Sequence, residues 1–512
     1  MRLVKRVWED DRLATRRRLA ACITMCIVAS GCAVGPKYQR PLPATPPTPT
    51  FKEMTGNDQW KMATPSDELM KGKWWEIFGE PELNRLEEMI SINNQNVKQA
   101  EAQFRQARAL VSLNHANYYP IIGVNPSITQ SDSGKNSGRG TGGTSQSFSI
   151  PGTVSWEPDL WGRVRLAVEN ASDNAQVSAA DLENVRLSAQ ALLAQDFFAL
   201  SANDMQQAIL KDEIDAYQKN LQLTINRYNG GVASKSDVTL AQTSLANAQA
   251  QSTDLRIARA QDEHAIAVLT GQAPATFEVA ASSIKGPPPP IPMSLPSALL
   301  ERRPDIAANE RLVAAANANI GIAQTAYYPT LTLSAAPGLV STSLASLFTW
   351  GSRVWSAGPS LSQTLFDFGR RNAQVQGAQA SYDATVAAYR QSVLAAFQEV
   401  EDDLASLRYL SEEAVQQHDA VVAAQQSLVL ELARYRAGTD SYLNVITTQT
   451  IELGDRIQAV TILERRMLAA VDLVKALGGG WDASALPSHE QLRSAELADP
   501  ANTQKVAQPV IK

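Results

Sequence analysis

Residues 227–238 read RYNGGVASKSDV and residues 434–445 read RYRAGTDSYLNV. Each pairs Arg-Tyr with a glycine-bearing turn, and each sits between two long stretches that contain no proline. Working outward from these turns, the recurrence continues. Tyr118-Tyr119-Pro120 returns as Tyr327-Tyr328-Pro329, and Asp159-Leu160-Trp161-Gly162-Arg163 as Phe366-Asp367-Phe368-Gly369-Arg370. Leu269-Thr270-Gly271 is echoed by Leu477-Gly478. Gly162, Tyr228, Gly231 and Gly271 all map forward by 207 residues, so one pattern is written twice.

Each copy has the same internal order. A helical stretch (about 82–117, then 304–326) precedes two short strands, and a very long helix follows (about 163–228, then 370–436). The glycine turn then leads into a last helix (about 236–270, then 443–477). Val421, Ala424, Leu428, Leu432 and Tyr435 step by three and four, as do Leu453, Ile457, Val460, Leu463 and Met467. At 1.5 Å per residue the long helices reach about 100 Å, beyond any globular domain. Helices of that length need neighbours throughout, which predicts coiled-coil-like packing.

The strands carry a period of two. Phe148, Ile150, Gly152, Val154 and Trp156 alternate with Ser149, Thr153, Ser155 and Glu157. Trp355, Ala357, Pro359, Leu361 and Leu365 alternate with Ser356, Ser360, Ser362 and Thr364. About ten residues of such alternation suits either a tilted transmembrane β-strand or a half-buried strand of a soluble sheet. Polar or small-residue loops (131–147 and 336–352) join the strands of each pair. Four strands do not close a barrel, since closed ones use about eight or more. An open edge in lipid leaves backbone groups unpaired at several kcal/mol each. A membrane reading therefore requires strands from other copies of the chain.

The N-terminus favours the membrane. Residues 16–32 read RRRLAACITMCIVASGC: a basic patch, an apolar run from Leu19 to Val28, and small residues before Cys32. This is the plan of an export signal, with an apolar run too short to stay as a spanning helix. Its end resembles a bacterial lipobox, with Ala29 where leucine is commoner, which makes Cys32 the acylated first residue of the mature chain. An ordinary signal peptide with an incidental cysteine is the plainer alternative. Several acyl chains on one residue make a stable anchor, at about 0.8 kcal/mol per buried methylene.

Composition narrows the chemistry. The 512 residues carry 46 Lys+Arg against 52 Asp+Glu, a net charge of −6, which offers nothing to neutralise nucleic-acid phosphates. All three cysteines (Cys22, Cys26, Cys32) lie in the first 32 residues, so the body has no thiol for a disulfide, zinc site or nucleophile. His115, His264, His418 and His489 are far apart and show no metal spacing. The acidic run Glu399, Glu401, Asp402 and Asp403 reads as a solvated or lumen-facing helix surface, not a catalytic pair. The glycines at 138–143 have no helix after them and read as a loop, not a phosphate cradle. No enzyme, cofactor or metal is expected beyond lipid on Cys32.

Several strings together resemble the TolC-type outer-membrane efflux factors, in particular the NodT-like lipoprotein branch that serves resistance–nodulation–division pumps. They are CAVGPKYQRP after the leader, WWEIFGEPELNRL (74–86), RYNGGVASKSDV (227–238), LLERRPDIAANERLVAAANANIGIAQTAYYP (299–329), LFDFGRR (365–371), RYRAGTDSYLNV (434–445) and LGGGW (477–481). The resemblance covers nearly all of the mature chain. It implies a mainly α fold with a small membrane β-barrel: a homotrimer with a 12-stranded β-barrel in the outer membrane and a periplasmic α-barrel. The organisation then reads as signal peptide 1–31, N-terminal anchor and equatorial segment 32–81, repeat 1 over 82–271 and Pro-rich linker 272–298. Repeat 2 over 299–480 and an equatorial tail 481–512 complete it. Strands are expected at about 120–131, 147–157, 330–336 and 354–366.

In that family the turns between long and last helices form the periplasmic tip, where the tunnel narrows and the adaptor docks. By motif, Leu443 matches the apolar constriction residue, while the family's aspartate ring falls on Thr447, a departure. Asp440 and Asp237 are candidates to supply the negative ring instead, with Asn444 beside them. Rings of like charge select ions and apolar rings gate by excluding water. Arg227, Arg434 and Arg436 are latch candidates on these carboxylates, against the alternative of solvated helix-end charges worth under ~1 kcal/mol each. Gly230, Gly231 and Gly438 form the turns.

The implied function is a passive trimeric duct that exports drugs or small toxic compounds. A periplasmic adaptor and an inner-membrane resistance–nodulation–division pump would open it, with outer-membrane lipid around the barrel. A type I protein-secretion exit duct and, from a different class, a structural trimeric envelope stalk are the alternatives. The amphipathic strand pairs argue against the stalk, which has no use for them.

Overall fold

The computed structural model describes residues 34–42, 51–54, 72–132, 144–291 and 302–494. Cys32, the leader, part of the Pro-rich linker and the end of the tail lie outside the described residues.

Both repeats fold alike. In the first, α1 (Pro81–Asn93) and α2 (Gln95–Ala116) precede β1 (Ile121–Val124), β2 (Ser127–Asp132) and β3 (Thr144–Trp156); α3 (Arg163–Asn229) and α4 (Lys235–Leu269) follow. In the second, α5 (Pro304–Thr325) precedes β4 (Thr330–Ala335), β5 (Gly338–Ser341), β6 (Arg353–Val354) and β7 (Ala357–Ser362). Then come α6 (Arg370–Ala437), α7 (Tyr442–Ala476) and a short α8 (His489–Arg493). The stretch expected as one helix over 82–117 is two. Asn94 leaves the helical region and its side chain accepts from the amides of Asn96 and Val97, starting α2 afresh. The second strand pair also differs from expectation. Its first strand continues past Ala336-Pro337 to Ser341, and its second leaves the ladder after Ser362.

The pieces β1–β2, β4–β5 and β6–β7 are interrupted strands, so the sheet has four strands in chain order, all antiparallel. The register sorts the side chains. Ile122 lies opposite Val154, Val154 opposite Ala335, and Ala335 opposite Ala357. Trp156 faces Leu333, and Leu331 faces Leu361. The other face holds Ser155 opposite Ser334, and its hydroxyls pair directly: Ser127 with Ser149 at 2.8 Å and Ser131 with Ser145 at 3.0 Å. One face is mainly apolar and the other mainly serine and threonine, as a strand between lipid and water requires. Ile122 is 74% exposed and Leu361 69%, so these side chains lack a protein partner in the single chain. No described helix is long and apolar enough to cross a membrane.

The long helices span 67 and 68 residues. α3 packs against α2, α4, α5 and α7, whereas α6 packs mainly against α5 and α7. The main core lies midway along them, where Trp74, Leu86, Leu193, Phe197, Phe198 and Ile266 are fully or nearly buried. Burial of each such side chain contributes about 1.5–3 kcal/mol. The segments outside the two repeats pack on the helices at several levels. The backbone amides of Lys52 and Glu53 donate to Glu401, Arg259 donates to the carbonyl of Val279, and Gln176 donates to that of Pro487.

Candidate functional site at the helical tip

The tip is made by two equivalent helix endings. α3 stops where Gly231 takes φ 75°, letting the amide of Val232 reach the carbonyl of Arg227 (2.9 Å) and that of Gly231 reach Tyr228 (2.9 Å). α6 stops the same way at Gly438, φ 75°, with Thr439 donating to Arg434 (3.1 Å) and Gly438 to Tyr435 (3.0 Å). Both are Schellman endings, in which a left-handed glycine satisfies the last carbonyls. Gly230 is the right-handed residue before the first of them.

The next helices start differently. Ser234 and Asp237 form a reciprocal capping box on α4: the serine hydroxyl accepts from the Asp237 amide (3.1 Å), and the carboxylate accepts from the Ser234 amide (2.9 Å). Asp237 thereby caps α4. On α7 it is Asp440 that receives the Ser441 amide (2.7 Å) and the Asn444 side chain (2.6 Å). These bonds, the backbone one first, with Arg434 adding charge, hold its carboxyl below the usual range. Asp440 is therefore an anion at neutral pH. Leu443 is 54% exposed, and Asn444 and Thr447 are exposed beside it. Leu443, Asn444 and Thr447 lie in the first two turns of α7, with Asp440 just before its N-cap Ser441.

The arginines do not latch onto these carboxylates within the chain. Arg227 crosses between the repeats: it donates to the carbonyl of Tyr435 (2.6 Å), and its guanidinium lies 4.4 Å from that ring's centre. Tyr435 packs on Tyr442 (5.2 Å between rings) and meets Thr224 by hydroxyl contact (3.3 Å), with both tyrosines buried. Arg434 pairs with Glu431 on its own helix (2.8 Å). Arg436 has no polar partner among the described residues. The bond that Arg227 makes to the other hairpin is thus Arg–Tyr, where sequence reasoning sought Arg–Asp. The signal was present in the shared Arg-Tyr dipeptide, but in a helix those two side chains diverge, so the partner had to come from the other repeat.

Higher up, two groups of carboxylates face one another across helices. Burial first, then Asp472, Glu399 and Asp402, push Asp403 of α6 up to about 7. Asp472 of α7, hydrogen-bonded to Gln195 (2.6 Å), is raised by burial too. Burial and the charge of Asp262 raise Asp196 to about 6, and the same causes raise Glu464. Among the described residues no three His, Cys, Asp or Glu converge as metal ligands.

A family model described as outer membrane efflux protein matches residues 87–272 and 295–479. The chain is 30% identical over 478 residues to a probable efflux pump outer membrane protein, TtgC, of Pseudomonas putida, covering 91% of this chain and 96% of that protein. It is also 30% identical over 471 residues to the pyoverdine export outer membrane protein OpmQ of Pseudomonas aeruginosa, covering 90% and 96%. Among solved structures it is similar to the outer-membrane channel OprN, with a TM-score of 0.81 at 27% identity over 88% of this chain and all of that one.

Proposed function

This chain belongs to the outer membrane efflux protein family, and on that premise we propose that three copies assemble into one duct, anchored by lipid on Cys32 and opened at its tip. It is an outer-membrane efflux channel that extends into the periplasm. The observation that carries the trimer is the four-stranded sheet with one apolar face, one hydroxyl face and two open edges. Three such sheets, edge to edge, give twelve strands with the serine–threonine face inward and the apolar face in lipid, and leave no edge unpaired.

In the closed duct, Leu443 forms an apolar ring at the tip and Asp440, held ionised by Ser441 and Asn444, an acidic one. The apolar ring excludes water, and the acidic ring repels anions and passes cations. A periplasmic adaptor docks on the tip turns, and an inner-membrane pump of the resistance–nodulation–division type supplies the work and selects the cargo. The relatives named for toluene, antibiotic and pyoverdine export favour small-molecule efflux over protein secretion. The chain contributes no catalytic step.

The test is single-channel conductance of the purified protein in planar bilayers, with its mass measured in detergent. Discrete cation-preferring channels from a trimer are expected. A monomer without conductance would overturn the duct and favour the envelope stalk. Mass spectrometry of the mature N-terminus tests the anchor separately, and an unmodified Cys32 would reject it.

A further inference from the structure

The duplicated pattern places a contact inside the chain in one repeat and leaves its counterpart vacant in the other. Trp161, between β3 and α3, stacks on Tyr328 (rings 4.9 Å apart) and donates its indole N–H to the carbonyl of Pro329 at 2.7 Å. This joins the end of repeat 1 to the Tyr-Tyr-Pro of repeat 2, along the edge where β3 pairs with β4. The residue 207 positions after Trp161 is Phe368, and the repeat-1 counterparts of Tyr328 and Pro329 are Tyr119 and Pro120. The strand ends below them correspond: Trp156 donates to the carbonyl of Tyr118 (2.9 Å), and its counterpart Gln363 donates to that of Tyr327 (3.1 Å).

Phe368 has no Tyr-Pro seat in its own chain, where its ring meets only the edge of Phe366 (4.5 Å) among the described aromatic rings. It is 91% exposed, Tyr119 is 62% exposed, and β1–β2 and β6–β7 are the two open edges of the sheet. Phe368 is also the one described non-glycine residue with positive φ, 52°. That conformation costs energy and persists where surroundings hold it. The helices above repeat the asymmetry: α3 has both α2 and α5 beside its returning helix α4, whereas α6 has α5 beside its returning helix α7 and no packed counterpart of α2 among the described residues. Leu187 of α3 is 7% exposed, and its counterpart Leu394 of α6 is 49% exposed.

We propose that Phe368 seats on Tyr119 and Pro120 of the adjacent copy, so that the Trp161–Tyr328 contact within the chain is the template for the contact between chains. This rests on the trimer proposed above and specifies its interface. The interface is head-to-tail: the β6–β7 edge and the uncovered side of α6 meet the β1–β2 edge and α2 of the next copy, and the rotation closes into a ring. Phenylalanine has no N–H to give Pro120, so the between-chain version keeps the stacking and loses one hydrogen bond.

The chain after Cys32 has no cysteine, which allows a direct test on the mature protein in detergent. The double variant Tyr119→Cys/Phe368→Cys is oxidised beside each single variant, and Trp161→Cys/Tyr328→Cys serves as an internal control. Covalent dimers and trimers from the first pair alone, with the control pair closing within one chain, are the expected result. In addition, Phe368→Trp restores the missing donor and should raise the temperature at which the trimer dissociates, whereas Phe368→Ala should lower it. A trimeric mass with no between-chain product from the first pair overturns this contact while leaving the trimer standing, and assigns Phe368 to the lipid interface. A monomeric mass removes the trimer itself, and the contact with it.

Discussion

Arg303 donates from Nη1 to the carbonyl of Ala476 at 3.1 Å, the position that Asn94 occupies in the other repeat with its 2.8 Å bond to the carbonyl of Leu269. Each closes the last turn of a tip-returning helix, α7 or α4, against the start of the helix that leads up to the strands. Asn94 does so while capping α2 with its own oxygen. Arg303 does so while holding Asp305 (2.7 Å) and Glu399 (2.7 Å), tying α5 and α6 to the same point. Two unlike residues thus perform one task, because the donor is what the exposed helix carbonyl needs.

Arg303→Ala removes that donor and leaves Glu399 without its partner. A loss of about 2 kcal/mol is expected, since Arg303 is nearly buried while both carboxylates are partly solvated. Arg303→Lys should recover little, because one ammonium does not span Asp305, Glu399 and the Ala476 carbonyl as the guanidinium fork does. The dissociation temperature of the proposed trimer is the readout, and equal values for Arg303→Lys and the unaltered protein would refute the fork.

Glycines in the two kinds of turn should respond unequally. Gly231 has open space around a built Cβ, so Gly231→Ala costs only the left-handed backbone, about 1 kcal/mol. At Gly478, φ 93°, a Cβ would lie 2.0 Å from the carbonyl oxygen of Arg302. Gly478→Ala must displace backbone and should abolish folded protein in membranes, whereas Gly231→Ala should leave its amount nearly unchanged. Similar yields for both would contradict the tight approach.

How far the sequence could be read followed from which interactions repeat. The 207-residue offset and the two periods located the long helices and the first two strands to within a few residues of their ends, because apolar side chains must follow the geometry of their element. The break at Asn94 went unread, since helical periodicity passes through it and only the cap geometry marks it. The continuation of the third strand across Ala336-Pro337 was masked by the proline, which the ladder tolerates at an interruption. At the tip, the exposed residues Leu443 and Thr447 were legible by motif. The contact of Arg227 was not, because a cation–aromatic contact between repeats depends on where two backbones approach.

That contact makes a prediction about gating. Arg227→Ala removes the hydrogen bond to Tyr435 and the cation above its ring, together about 1–2 kcal/mol at a half-buried site. The two hairpins should separate more readily, so the open probability of the isolated channel should rise roughly 5- to 30-fold. Arg436→Ala, which breaks no polar contact among the described residues, should leave it unchanged. A silent Arg227→Ala channel would remove the hairpin contact from the gate.

The carboxylates between α6 and α7 predict a pH dependence of opposite sign to an ordinary salt bridge. Asp403 sits at about 7 in the folded chain against an ordinary value of 3.8, with burial as the main cause and Asp472, Glu399 and Asp402 adding repulsion that Lys475 partly offsets. Between those two values the folded chain binds more protons than the unfolded one, so stability falls as pH rises from about 4 to 7 and is flat above. Asp403→Asn removes the ionisation without removing bulk. It should therefore stabilise the protein at pH 8, by about 1–2 kcal/mol once residual solvent screening is allowed for, and have almost no effect near pH 4. Thermal dissociation of the trimer measured at both pH values decides the matter. A stabilisation of equal size at pH 4 and pH 8 would mean that asparagine packs better there, and that the charge at position 403 opposes nothing.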